Sequence, residues 1–403
     1  MVFSRIQLAP NCLGSFTKRM KSLVKEATKD VLYRAVDVFV KPKQQIQPKT
    51  LLLIRLDAIG DYVLFQNYVE LIKASDKYRG YCITLLGNDI WKEFEERRSA
   101  SEIDNYIWLN RKKFFRNIFY RYSILKTITS NGYEVVIQPT FSREYRVGDA
   151  IVKLVSALHK IGHAGDFGNS TPSQKRRSDQ YYTKLVSGTK NVLYEFDRNK
   201  EFFQEILESP LSEQIRPSLP KYSKKDCSPH ARKKYVILFI GANTRNRHWA
   251  TQKYALLAMH LKQSSRYKDH DIIISGSAAE VDAGRELASK CCVPLINMVG
   301  KTTLVELAEL IAHSKLLVTN ETCAHHIGIA TNCCLVIVLY AGNHFGRFVP
   351  LVPHDNTYRV ILHPEIRKAP EAYRVKSNKA GYFSTLDINE ITVSEVFNEI
   401  VEH

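Results

Sequence analysis

LLLIRLDAIGD, residues 51–61, sets the reading of the whole chain. LLLIRL is a continuous apolar, strand-prone run, as expected of a strand buried on both faces of a parallel sheet. Gly60 allows a tight turn, and from Asp61 a helical pattern follows through Val63, Tyr68, Leu71 and Ile72. Toward the C-terminus the same step recurs, with strands at 83–87, 106–109 and 135–139 and helices at 89–97, 114–128 and 147–159. The polar, basic stretch HAGDFGNSTPSQKRRSD within 163–190 reads as a loop, and a helix follows at 197–208. PSLPKYSKKDCSPHARKK (217–234), with three prolines and a Lys/Arg run, marks a domain boundary. Beyond it the alternation starts afresh: strands 235–240, 271–275, 294–298, 315–319 and 334–340, helices 251–263, 279–290, 303–313 and 323–331, and a last helix at 392–402. Alternating strands and helices imply right-handed βαβ units. The expectation is an α/β chain of two Rossmann-like domains, with parallel sheets facing a central cleft. The domains span 51–220 and 221–390, preceded by a basic segment over 1–50 and followed by a helix over 391–403.

Composition narrows the class. Of 403 residues 44% are hydrophobic and 25% charged, which excludes wholesale disorder. No apolar run approaches the ~20 residues of a membrane-spanning helix, and the first twenty residues lack a signal-peptide core. Eight cysteines without a C-x-x-C argue against a disulfide scaffold or structural zinc. A reduced, soluble, cytoplasmic protein is expected. The net charge of +17 favours anionic partners. Residues 1–50 carry ten Lys/Arg against three acids. Val24, Ala27, Val31, Ala35 and Val38 recur there at helical spacing, with Leu32 and Phe39 beside them. Such a stripe suits either a helix lying on an anionic bilayer or one docked on the protein's own core.

In doubly wound sheets ligands sit beyond the carboxyl ends of the strands. After 51–56, Asp61 is either a general base for a sugar hydroxyl or a helix cap. After 235–240 comes GANTRNRHW: Gly241 and Ala242 let backbone approach a ligand, Thr244 offers a hydroxyl, and Arg245 and Arg247 suit a diphosphate. After 271–275, Glu280 either closes a capping box with Ser277 or binds ribose hydroxyls. After 315–319, NETCAHH offers backbone N–H groups at a helix start for phosphate. His325 and His326, as neighbours, would point to different faces, so one of them donating to phosphate is a better reading than a metal pair. GKTTL (300–304) lacks the leading glycine of a P-loop.

Taken in order, LLLIRLDAIGD (51–61), IGANTRNRHW (240–249), IIISGSAAE (272–280), NMVGKTTLVELAELIAHSKLLVTNETCAHHIGIA (297–330) and GNHFGRFVP (342–350) resemble glycosyltransferase family 9, the ADP-heptose:lipopolysaccharide heptosyltransferases. The resemblance covers roughly 50–400. It implies a GT-B fold and inverting, metal-independent sugar transfer that needs no cofactor, with the acceptor in the first domain and the nucleotide sugar in the second. Asp61 then matches the catalytic base. Arg247 stands where the family usually has lysine, on the donor diphosphate, and Thr244 matches a phosphate-contacting threonine. Gly241 belongs to the same donor loop, Glu280 matches the ribose-binding glutamate, and Thr302 lies in the segment lining the adenine pocket. Thr322, Cys323, Ala324 and His326 match the phosphate-binding helix start. Glu321 replaces the family's usual Asp and Cys323 its usual Gly. The acceptor residues are not assigned.

The leading expectation is a glycosyltransferase of lipopolysaccharide-core or related surface-glycan assembly, peripheral at the cytoplasmic face of the inner membrane. Its partners would be an ADP-sugar and an anionic glycolipid. A non-catalytic relative that binds nucleotide or glycan is the alternative, prompted by Glu321 and Cys323. Nucleic-acid binding has only the charge in its favour.

Overall fold

The computed structural model describes residues 31–33, 35–189, 192–221, 234–331, 333, 335–350, 357–379 and 383–402. Most of the expected basic segment (1–30) and of the expected linker (222–233) lies outside the described residues, as do Val24 and Ala27 of the stripe.

Strands β1 (Ile46–Arg55), β2 (Cys82–Asn88), β3 (Asn105–Leu109), β4 (Gly132–Gln138), β5 (Ala157–His163) and β6 (Lys184–Val186) form one sheet in the order 3-2-1-4-5-6. Strands β7 (Tyr235–Phe239), β8 (Asp271–Ser275), β9 (Ile296–Asn297), β10 (Leu316–Asn320), β11 (Val336–Tyr340) and β12 (Tyr358–Leu362) form the second, in the order 12-11-10-7-8-9. Counted within its own domain the second order is the same as the first. Every strand pair is parallel, with Leu51 opposite Ile83 and Val135, and Val236 opposite Ile272 and Leu316. Both are therefore doubly wound sheets whose crevices open between β1 and β4 and between β7 and β10. The apolar runs explain this placement: Leu51–Ile54 and Tyr235–Phe239 are buried throughout, as strands covered on both faces must be.

The helices include α1 (Ile59–Val63), α2 (Lys92–Glu96), α3 (Ile118–Thr129), α4 (Glu195–Leu207), α5 (Thr251–Gln263), α6 (Leu304–Ala312), α7 (Cys323–Ala330) and α8 (Val393–Val401). None among the described residues is long and apolar enough to cross a membrane.

Several expectations are corrected. The helix expected over 147–159 stops at Leu154, and Ala157–His163 joins the sheet. The stretch 163–190 is not all loop. Thr171 and Gln174 close a capping box with Pro172 at the first helical position, starting a helix over Pro172–Asp179, and Lys184–Val186 adds an edge strand. Helix 114–128 is two helices, broken where Asn117 leaves helical geometry to cap α3. Strand β12 and the helices Pro364–Lys368 and Pro370–Lys379 come after the last expected strand.

Candidate active site

Arg55, at the end of β1, is fully buried and gathers the acidic groups of the first crevice. Its Nε lies 3.0 Å from Asp57, and Nη2 lies 3.9 Å from Asp61 and 3.8 Å from Glu195 on α4. Nη2 also donates to the Asp61 carbonyl at 3.3 Å, and the guanidinium rests 4.9 Å over the Phe65 ring. Across the crevice Thr140, after β4, donates to Asp57 at 2.8 Å. Asp61 is not a helix cap: α1 starts at Ile59 with Ala58 before it, no side chain caps it, and the Asp61 carboxylate stands in the first turn near Arg55. Burial pushes its pKa up to about 7, helped by the Asp57 and Glu195 charges and opposed by Arg55 and Arg347. A fifth of its side chain stays open, so the carboxyl can still be reached.

The second crevice carries different chemistry. Asn320, ending β10, donates to the Ile240 and Gly241 carbonyls and so fixes the turn after β7. That turn brings Arg247 to 3.7 Å from Glu321. Burial outweighs the guanidinium and pushes Glu321 up to about 8. Burial therefore favours the neutral carboxyl, which compensates less of the Arg247 charge. Arg247 Nε is also buried without a hydrogen-bond partner among the described residues. The turn is tied to the C-terminal segment. Trp249 Nε1 donates to the Ile391 carbonyl, Asn246 to that of Ser384, and Asn389 accepts from the Ala250 N–H while donating to the His248 carbonyl.

Thr322 caps α7, its hydroxyl accepting from the Ala324 N–H. His325 and His326 follow, both buried and both held neutral by burial, which lowers His325 to about 4 and His326 well below its ordinary value. Their rings do not diverge: the centroids are 3.8 Å apart, because both lean into the space between the domains. Glu280 does close the capping box, accepting from the Ser277 N–H and hydroxyl through Oε2 alone; Oε1 takes no hydrogen bond among the described residues. No group of three or more His, Cys, Asp or Glu among the described residues could hold a metal ion.

The two sides touch. Gly60 sits inside α1 rather than in a turn, and a Cβ there would lie 2.5 Å from His326 Cδ2. Its lack of a side chain lets α1 pack on α7. Glu195 accepts from Arg347 Nε at 2.9 Å, and its N–H donates to the Arg347 carbonyl. Glu93 on α2 accepts from the Leu304 N–H at the start of α6. Two cavities open on this junction. One of about 620 Å³ lies against the first domain, lined by Asp57, Asp61, Arg111, Lys112, Glu144 and Arg347, among others. The other, about 450 Å³, lies against the second domain, lined by Gly241, Thr244, Arg247, Glu280, Glu321, Thr322, Cys323 and His326. Asp61 lines both, as do His344 and Phe348.

Of the expected donor residues, two lie elsewhere. Thr302 is half-buried ahead of α6 and lines neither cavity, and Ala324 is fully buried behind the helix start. Sequence reasoning missed Arg55, Asp57, Glu195, His344 and Arg347. Arg55 had a signal, since a lone cation inside LLLIRL must find buried carboxylates. His344 had one too: Gly342 and Gly346 flank it in GNHFG, the mark of a tight loop, where it takes a left-handed φ of 48°.

Two doubly wound domains, meeting at a cleft with acids on one wall and a guanidinium, hydroxyls and a helix start on the other, have the arrangement of a GT-B fold. The chain belongs to glycosyltransferase family 9 (heptosyltransferase), whose model matches residues 121–380. Among curated proteins none matches by sequence. Solved structures of similar fold include a family 9 glycosyl transferase from Veillonella parvula, with TM-score 0.66, 15% identity, and 89% of this chain and 98% of that one covered. Escherichia coli heptosyltransferase WaaC, with ADP-2-deoxy-2-fluoro heptose, gives 0.61 and 15%, covering 88% and 99%. The E. coli ADP-heptose LPS heptosyltransferase II gives 0.60 and 17%, covering 88% and 98%.

Proposed function

We propose that this protein transfers a heptose from ADP-heptose, with inversion, to a hydroxyl of a lipopolysaccharide-core or related glycolipid acceptor at the cytoplasmic face of the membrane. One observation carries the reading: Asp61 lines both cavities and is the carboxylate tuned to about 7. A base with that pKa takes a proton at neutral pH without being held permanently as the ion.

The acceptor enters the cavity of the first domain and the donor that of the second. Asp61 removes the proton as the acceptor oxygen bonds to the anomeric carbon, and the bond from that carbon to the diphosphate oxygen breaks. Direct attack from the opposite face inverts the centre. The departing diphosphate carries the negative charge. Arg247, the Thr244 hydroxyl, the N-terminus of α7 and neutral His326 surround the space it would occupy. Glu280 Oε1 faces ribose. The family's heptosyltransferase character and the ADP-sugar analogue held by WaaC support ADP-heptose as donor.

Calorimetric titration with ADP, UDP, GDP and CDP tests the donor. Selective ADP binding at micromolar affinity, about −8 kcal/mol, is expected. Preference for another nucleotide would discard heptose but keep the transferase. Binding of none would favour the non-catalytic relative.

A further inference from the structure

The helix over 31–39 docks by a face that its apolar stripe does not mark. Tyr33 and Val40 are buried, and Asp37 receives Arg121 of α3 through both oxygens at 2.9 Å. The Tyr33 hydroxyl donates to the Phe115 carbonyl, and the Lys43 N–H donates to the Thr129 carbonyl. These contacts, with Phe115 just ahead of α3, Arg121 in its first turn and Thr129 at its end, lay the segment alongside that helix. The stripe is thereby turned outward: Val38 is 78% exposed and Phe39 72%, with Val31, Leu32 and Ala35 exposed as well. On α3, Phe119 (80% exposed) and Tyr122 stand one turn apart on the open side. Of thirteen exposed large apolar side chains among the described residues, six lie on these two helices. That is far from the scatter of single exposed apolar residues found on soluble surfaces.

The charge around them has one sign. Residues 111–129 contain six Lys/Arg and no acid. Lys41, Lys43, Lys112, Lys113, Arg116 and Lys126 are exposed and form no ion pair among the described residues. Protruding aliphatic and aromatic side chains inside an uncompensated cationic rim match a planar anionic surface. A folded protein partner would need a complementary acidic pocket for each protrusion. Lys112 belongs to this rim and also lines the larger cavity, so the surface runs to the mouth of the proposed acceptor site.

We propose that the outer face of helix 31–39 and α3 rests on an anionic lipid bilayer, with Val31, Val38, Phe39 and Phe119 entering the interface and the basic rim meeting lipid phosphates. The proposal deepens the glycolipid-acceptor reading and rests on it for its purpose; vesicle binding needs neither donor nor acceptor, so the two fail separately.

Full-length protein is sedimented with phosphatidylglycerol vesicles and, separately, with phosphatidylcholine vesicles. Binding to the anionic vesicles alone is expected, and its loss in roughly 0.5 M salt, where exposed charges are screened. The Val38→Asp/Phe39→Asp double variant should weaken binding at least about tenfold, as should Lys113→Glu/Arg116→Glu, with Phe119→Asp weaker in effect. Melting temperature checks folding, and Phe119→Asp, on a separate helix, stands in if the double variant does not fold. Wild-type protein that stays in the supernatant overturns the proposal. So does unchanged vesicle binding by all folded variants, which would assign the contact to residues 1–30. A dimer in solution that Val38→Asp/Phe39→Asp dissociates would assign the face to a second copy and overturn it too.

Discussion

At the first crevice, Thr140 after β4 donates to Asp57 after β1; at the second, Asn320 at the end of β10 donates to the carbonyls after β7, and Glu321 meets Arg247. The two sheets have the same strand order, and in each the loop after the first strand is tied to the fourth. The first crevice concentrates carboxylates around one buried guanidinium. The second offers a guanidinium, hydroxyls, neutral imidazoles and a helix start. Identical topology has thus been given opposite polarity by a handful of loop residues, one wall suited to taking a proton and the other to holding a polyanion. Fold fixes where the crevices lie, and the residues at the strand ends decide which chemistry each wall is suited to.

Asp61→Asn strikes the first wall hardest. Transfer should fall by about 10³-fold, within the range for a general base, while calorimetry shows ADP binding intact. Loss of both would mean that the walls do not act separately. In the wild type, activity should fall about tenfold per pH unit below about 7, as Asp61 takes up its proton. The stability sign is opposite: a carboxyl raised from 3.8 binds its proton more tightly when folded, so wild-type stability declines as pH rises from 3.8 toward 7. Above that pH Asp61→Asn should melt higher than wild type.

Arg247→Ala addresses the second wall. Removing a charge-assisted contact worth about 1.5–3 kcal/mol should weaken ADP tenfold to hundredfold and leave AMP nearly unchanged. Equal losses for both nucleotides would place Arg247 away from the terminal phosphate.

Gly60→Ala tests the contact between the walls. Its Cβ would overlap the His326 ring, costing about 1–3 kcal/mol in overpacking and lowering the melting temperature. Adding His326→Ala should restore most of that loss. A Gly60→Ala protein as stable as wild type would show that the walls do not need this approach.

The sequence was most legible where burial is local and continuous. Helix Thr251–Gln263 and strand Asp271–Ser275 fall on the expected residues, because an apolar run and its turn residues suffice to place them. Legibility failed at β5, whose Ala157–His163 run is rich in polar residues, and at the three-residue β6, Lys184–Val186; pairing of β5 with β4 and of β6 with β5 makes them strands. Asp61 and Arg247 stand out as candidates by their positions after strands, but the family resemblance, not the loops alone, gave them roles. The cage around Asp61 does not stand out, since Arg55 meets Glu195 across 140 positions and Glu195 meets Arg347 across 152 more. Such partners are chosen by the fold, and no local pattern encodes them. The stripe over 31–38 was read correctly as apolar, but the docking face is set by Asp37 and Arg121, an ion pair that hydrophobic periodicity ignores.

The ties from Trp249, Asn246 and Ala250 to residues 384–391 give the C-terminal segment a duty remote from its position. It works as a mooring for the turn that carries Arg247. On the proposed reading, a frameshift late in the reading frame, sparing both sheets and Asp61, is expected to surface as a nucleotide-affinity defect with the first wall left complete.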